Sequence, residues 1–109
     1  MTTAGAPAVI DAFGAIAHPV RRRIVIELAG GPKPVRDLAG GMPVTRPAVS
    51  QHLRLLLDAG LVSQERIGRE HLYQLHAESL DEVRQWINQL DRAWGAALGR
   101  LGNHLDRNR

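Results

Sequence analysis

"TRPAVSQHLRLL", residues 45–56, decides how the chain folds. Val49, Leu53, Leu56 and Leu57 recur at helical spacing, and at about 100° per residue they fall on one side of a helix. Pro47, Ser50, Gln51, Arg54 and Asp58 fall on the other. Thr45 is a good N-cap, and Pro47 sits in the first turn, where no backbone donor is lost. Gly60 can supply a left-handed C-cap, so the helix should close at Asp58-Ala59-Gly60. One face is built to sit on a core. The other carries paired donors and acceptors.

Reading outward, Pro19 can open a helix that runs to about Ala29, with Val20, Ile24 and Leu28 inward. Gly30, Gly31 and Pro32 end it. Residues 8–17 read as an earlier helix with Val9, Phe13, Ile16 and Ala17 on one face, weakened by Gly14. Pro34 opens a short helix through Leu38 and Ala39, which a turn at Gly40-Gly41 joins to the helix at Thr45. Downstream, "LVSQERIGREHLYQL" places strand-forming runs on either side of Gly68 and reads as a hairpin over about 61–76. From Ser79 to about Leu105 the positions Leu80, Val83, Ile87, Leu90, Trp94, Ala97, Leu101 and Leu105 step by three and four, a heptad-like seam.

The expected architecture is a single, mainly α domain over 1–109: a helix-turn-helix over about 34–59, a two-stranded β-hairpin wing and a long C-terminal helix. That is a winged helix-turn-helix. Its 109 residues, 44% hydrophobic, suffice for one packed core. Cysteine is absent, which removes disulfides, thiol catalysis and thiolate metal sites. No apolar run approaches the roughly 20 residues needed to span a bilayer, and no signal peptide is read at the N-terminus, so the expected location is the cytoplasm. The net charge of +3 decides little. Lys33 is the only lysine, and arginine's planar fork suits phosphates and guanine edges.

The polar face of residues 45–58 fits a DNA major groove. Gln51 can pair its amide with adenine, and Ser50 tolerates several bases. Arg46 and Arg54 suit phosphates, which fix register without carrying sequence. Arg66 and Arg69 lie near the hairpin tip, where they can follow phosphate or the minor groove, with Glu65 and Glu70 partly cancelling them. The plain alternative is an ordinary solvated face. His52 falls at the border of the buried side, where packing competes with base contact, while His71 and His76 read as surface residues. Ser50 and His52 are two apart on a helix and point away from each other, so they form no nucleophile–base pair. With no paired carboxylates and no glycine-rich phosphate loop, the chain reads as no enzyme and no cofactor is expected. Trp86 and Trp94 read as core or subunit interface, since one helix cannot bury the seam alone.

"IAHPVRRRIVIEL", "VRDLAGGMPVTRPAVSQHLRLLLDAGLV" and "RIGREHLYQL" together resemble the ArsR/SmtB family of bacterial winged-helix repressors, from about Phe13 to Leu101. The resemblance implies a homodimer that represses transcription and dimerises through its first and last helices. It places Ser50, Gln51, His52 and Arg54 in the recognition helix and Arg69 in the wing, and Pro47 on the polar face beside them is expected to meet DNA as well. Phe13, Ile87, Leu90, Trp94, Ala97 and Leu101 then belong to the dimer interface. Two departures stand out: Gly40-Gly41 occupies a place for better helix formers, and His18 precedes Pro19 where an aspartate cap is common. In metal-sensing members of the family the last helix carries four ligands. The matching positions here are Asp91, Ala93, His104 and Arg107, so no metal site is expected. The partners implied are double-stranded DNA and a second copy of the chain. The rival expectations are a protein-interaction winged helix without DNA binding and a metal-responsive member of the family.

Overall fold

The computed structural model describes residues 10–107, with side chains to Arg100. Helix α1 (Ala12–Ala15) is one turn, N-capped by Asp11, whose carboxylate accepts from the Gly14 amide at 2.8 Å. The expected helix over 8–17 is therefore shorter. It starts after its cap, and it stops before His18, which the following proline holds in an extended conformation (ψ 134°). Its buried residues are Ala12 and Ala15; Phe13 and Ile16 are half-buried and Ala17 is exposed, which corrects the expected face. Val9 lies outside the described residues.

Helix α2 (Pro19–Ala29) follows as expected, with Ile24 and Leu28 buried and Val20 half-buried. Strand β1 (Lys33–Pro34) comes next and pairs antiparallel with the wing, Lys33 opposite Tyr73 and Pro34 opposite Leu72. The sheet thus has three strands in the order β1-β3-β2, where the sequence promised only a hairpin. Two residues carry no alternation to detect, and proline is tolerated because β1 is an edge. Helix α3 (Val35–Gly40) buries Leu38 and is only six residues long.

Helix α4 (Arg46–Asp58) starts at its Thr45 cap, where the hydroxyl accepts from the Ala48 amide at 3.2 Å. Val49, Leu53 and Leu56 are buried completely; Leu57, expected with them, is half-buried. The helix closes in a Schellman motif. The Leu61 amide donates to the Leu56 carbonyl and the Gly60 amide to that of Leu57, both at 3.0 Å, with Gly60 at φ +80°. Leu56 and Leu61 are both in the core, which supplies the apolar contact this motif commonly carries.

Strands β2 (Val62–Ile67) and β3 (Glu70–Leu75) pair in one register from Val62 opposite Leu75 to Ile67 opposite Glu70. Gly68 takes φ +64° at the first position of a two-residue turn and Arg69 keeps a negative φ, the signature of a II′ turn. A 3-10 turn (Ala77–Leu80) leads into α5 (Asp81–Arg107). The core joins α1, α2, α3, α4, the start of the wing and Val83 of α5.

Beyond Val83, α5 leaves the body. The radius of gyration is 19.3 Å, against about 13 Å for a compact domain near this size. Trp86, Ile87, Leu90, Trp94 and Leu98 are between 44% and 62% exposed. Apart from Phe13 against Trp86, the apolar side chains of this helix beyond Val83 lie largely exposed among the described residues.

Candidate nucleic-acid interface

The α4 face opposite the core presents Pro47, Ser50, Gln51 and Arg54, all exposed, and Arg46 is exposed at its first turn. Packing dictates this. Val49, Leu53 and Leu56 lock the rotation of the helix, so the polar residues between them must point outward. The Thr45 cap fixes where the helix begins, and with it the height of Arg46 and Pro47.

Arg54 pairs with Asp58 one turn on, at 3.3 Å. Such an exposed pair is worth only about 0.3–0.5 kcal/mol. A phosphate can therefore take the guanidinium from Asp58 at small cost. Arg66 folds back on the wing, its Nε donating to the Gly68 carbonyl at 3.2 Å. Arg69 sits at the turn itself and is exposed.

The structure brings Arg46 and Arg69 to one groove of about 380 Å³ between the start of α4 and the wing. Pro34, Val35, Arg36, Glu70, His71 and Tyr73 complete its lining. Arg36 is the residue that the sequence reading missed. It lies on α3, forms an ion pair with Glu70 of β3, and approaches Asp37 at 3.7 Å. Its partner is 34 residues away in the chain, and no local pattern marks such a pair. Glu70 thus faces this arginine, which leaves Arg46 and Arg69 as the cations of the groove without an ion pair among the described residues.

His52 is placed differently from its neighbours on α4. It is half-buried and turned toward α2, where the Arg21 guanidinium meets its Nδ1 at 3.3 Å and the His18 ring lies 4.4 Å away, centroid to centroid. Desolvation, then the nearby His18, then Arg21 hold its pKa below the ordinary 6.5. The packing side of its expected position prevails.

Of the six expected interface residues, Ile87, Leu90 and Trp94 are exposed and Ala97 is half-buried on α5. Phe13 packs edge-on against Trp86 of the same chain, with centroids 5.9 Å apart. The Leu101 side chain lies outside the described ones. No group of three or more His, Asp or Glu able to hold a metal is present among the described residues. No helix there is long and apolar enough to cross a membrane.

Residues 18–64 match the family described as bacterial regulatory protein, arsR family. The HTH-type transcriptional regulator Rv2034 of Mycobacterium tuberculosis is 46% identical over 95 residues, 87% of this chain and 86% of that protein. The HTH-type transcriptional repressor SmtB of the same species is 45% identical over 79 residues; the match covers 69% of this chain but 58% of SmtB. Among solved structures, a possible transcriptional regulator for arsenical resistance superposes with a TM-score of 0.69 at 38% identity, over 81% of this chain and 97% of that one. The family match, the identity to these regulators and the shared fold agree: the chain belongs to the ArsR family of bacterial regulatory proteins.

Proposed function

We propose that the chain is a transcriptional repressor that binds DNA specifically as a homodimer, acts on an imperfect palindrome that includes its own promoter, and works in the cytoplasm. One observation carries this reading: the exposed Ser50-Gln51-Arg54 face lies beside a groove that holds Arg46 and Arg69. An α helix fits the major groove, and arginines at its start and on the wing fit the phosphates that flank it. Two-fold pairing through α5 would set two such helices in successive major grooves, which requires a two-fold operator. The chain reads as no enzyme, consistent with a family of regulators.

The test divides labour within the face. Affinity for DNA upstream of the protein's own coding sequence is measured against random duplex over a range of salt. The wild type is expected to prefer the former, with a steep salt slope from counterion release. Gln51→Ala should relax sequence preference by about 1–3 kcal/mol. Arg54→Ala should weaken binding to all duplexes and flatten the slope by about one. Equal wild-type affinity for both duplexes would favour a protein-interaction winged helix instead.

Zinc should have no part in release. Asp91 is exposed, and the matching ligand positions continue as Ala93 and, beyond the described side chains, His104 and Arg107. Closed zinc sites take about four ligands from Cys, His or carboxylate. Titration with zinc against a competing chelator, followed by anisotropy of bound operator, should show no stoichiometric uptake at sub-micromolar free metal. One tight equivalent per subunit with loss of DNA would restore the metal-responsive reading and make His104 the first residue to mutate.

A further inference from the structure

We propose that Arg21 is a positioning residue for the recognition helix α4, acting through His52, and that its hold requires neutral imidazoles at both His52 and His18. The inference rests on the DNA-binding reading only for what α4 does once positioned. The Arg21 side chain makes three contacts at once. Its Nε donates to the Ala15 carbonyl at 2.7 Å and its Nη2 to the Gly14 carbonyl at 3.1 Å. Its Nη1 meets His52 Nδ1 at 3.3 Å. One guanidinium on α2 therefore ties the end of α1 to α4. Because Phe13 of α1 rests on Trp86 of α5, the same link joins α4 to the helix carrying the uncovered seam.

The donor rules fix the protons. A guanidinium donates and never accepts, so His52 Nδ1 must be the acceptor and its proton sits on Nε2. A backbone amide likewise only donates. The Val20 amide bonds His18 Nδ1 at 3.1 Å, so His18 too carries its proton on Nε2 while it caps α2. Protonating His52 would place an N–H against the Arg21 donors, which breaks that contact and sets a second cation beside Arg21.

Among the described residues no carboxylate forms an ion pair with Arg21, His18 or His52. The groups acting on His52 are His18 and Arg21, both from the start of α2. From α1 come the carbonyls of Gly14 and Ala15, which accept from Arg21, while the Asp11 carboxylate at its cap accepts from the Gly14 amide. On α3, Arg36 pairs with Asp37 and with Glu70 of β3. On α4 itself, Arg54 and Asp58 pair on the exposed face. The charged residues of β2, Glu65 and Arg66, are exposed, and this strand enters the core through Val62.

The sign follows. Burial and these neighbours hold the His52 pKa below 6.5. The contribution to stability is complete above the ordinary histidine value and is lost as pH falls through the lowered one. Acidification should loosen α4 from α2 and weaken DNA binding, opposite to the trend of surface histidines, whose protonation adds positive charge facing DNA.

The experiment has two arms. Long-range proton–nitrogen NMR of the wild type at about pH 7.5 should show Nε2–H tautomers at His18 and His52, and Arg21→Met should move the His52 pKa upward. Separately, a duplex selected in vitro against the wild type is titrated with each protein from about pH 7.5 down to about pH 5.5. Wild-type affinity should fall, and by clearly more than that of the double variant. His18→Asn/His52→Asn keeps an acceptor near each Nδ1, and asparagine caps helices well, so its own profile should change by less than about twofold. An Nδ1–H tautomer at His52, or parallel pH profiles for wild type and double variant, would overturn the proposal. Failure to enrich any duplex would count against DNA binding instead, and the tautomers together with the pH dependence of wild-type and double-variant melting would then decide the Arg21 link.

Discussion

Leu90→Glu and Trp94→Glu should each turn the proposed dimer into monomer or aggregate and abolish specific DNA binding. Trp94 is 62% exposed and Leu90 46% exposed on a helix that has left the domain body. Exposed apolar patches of this kind mark sites of association. Burying a side chain of this size stabilises by about 1.5–3 kcal/mol. Symmetry enters the substitution twice, and each new carboxylate must be desolvated without a partner. A protomer held to a single half-site makes too few phosphate and base contacts for specific binding. Asn88 lies on the opposite face of α5 and is exposed, so Asn88→Glu serves as the control and should change nothing. Sedimentation over a range of protein concentrations reads the outcome. A folded wild-type monomer, or variants that bind DNA as well as wild type, would overturn the expectation.

The parts of this molecule that were legible in the sequence are those that local chemistry determines. Thr45, Pro19, Gly60 and Gly68 announce a cap, a helix start, a helix end and a hairpin turn through their own backbone preferences. Each signal acts within a few residues, and each stands where it was expected. The periodicity of α4 likewise told its two faces apart before any packing was known.

What was hidden depends on residues far apart in the chain. Strand β1 exists because Lys33 and Pro34 meet Tyr73 and Leu72, and nothing in two residues foretells that. The Arg36–Glu70 pair and the His18–Arg21–His52 cluster arise from the way α3, α2 and α4 are stacked. His52 illustrates the boundary. Its helical phase put it at the edge of the buried face, but only α2 supplies the arginine that turns its ring inward. Helix α1 was over-extended because its apolar spacing continues past the points where Asp11 and Pro19 stop it.

The two faces of α4 give the other large effect. Leu53→Ala should destabilise the protein by about 2–5 kcal/mol, the range for a fully buried leucine truncated in a packed core. Leu53 has no exposed surface, and Val49, Leu56, Ile24 and Leu38 are buried in the same cluster. Total stabilities of domains are about 5–15 kcal/mol, so this loss removes a large share and should lower the melting temperature on the order of ten degrees. Ser50, three residues earlier, is exposed, and its hydroxyl makes no hydrogen bond among the described residues. Ser50→Ala should stay within about 0.5 kcal/mol of wild type and show its effect only on DNA. Both variants are unfolded by urea at one fixed protein concentration, because dimerisation makes apparent stability depend on concentration. DNA binding is then measured well below the lower melting point. Leu53→Ala that is as stable as wild type would mean that α4 is not held by this core. Ser50→Ala that melts with Leu53→Ala would mean that the face read as free for DNA is a packed one.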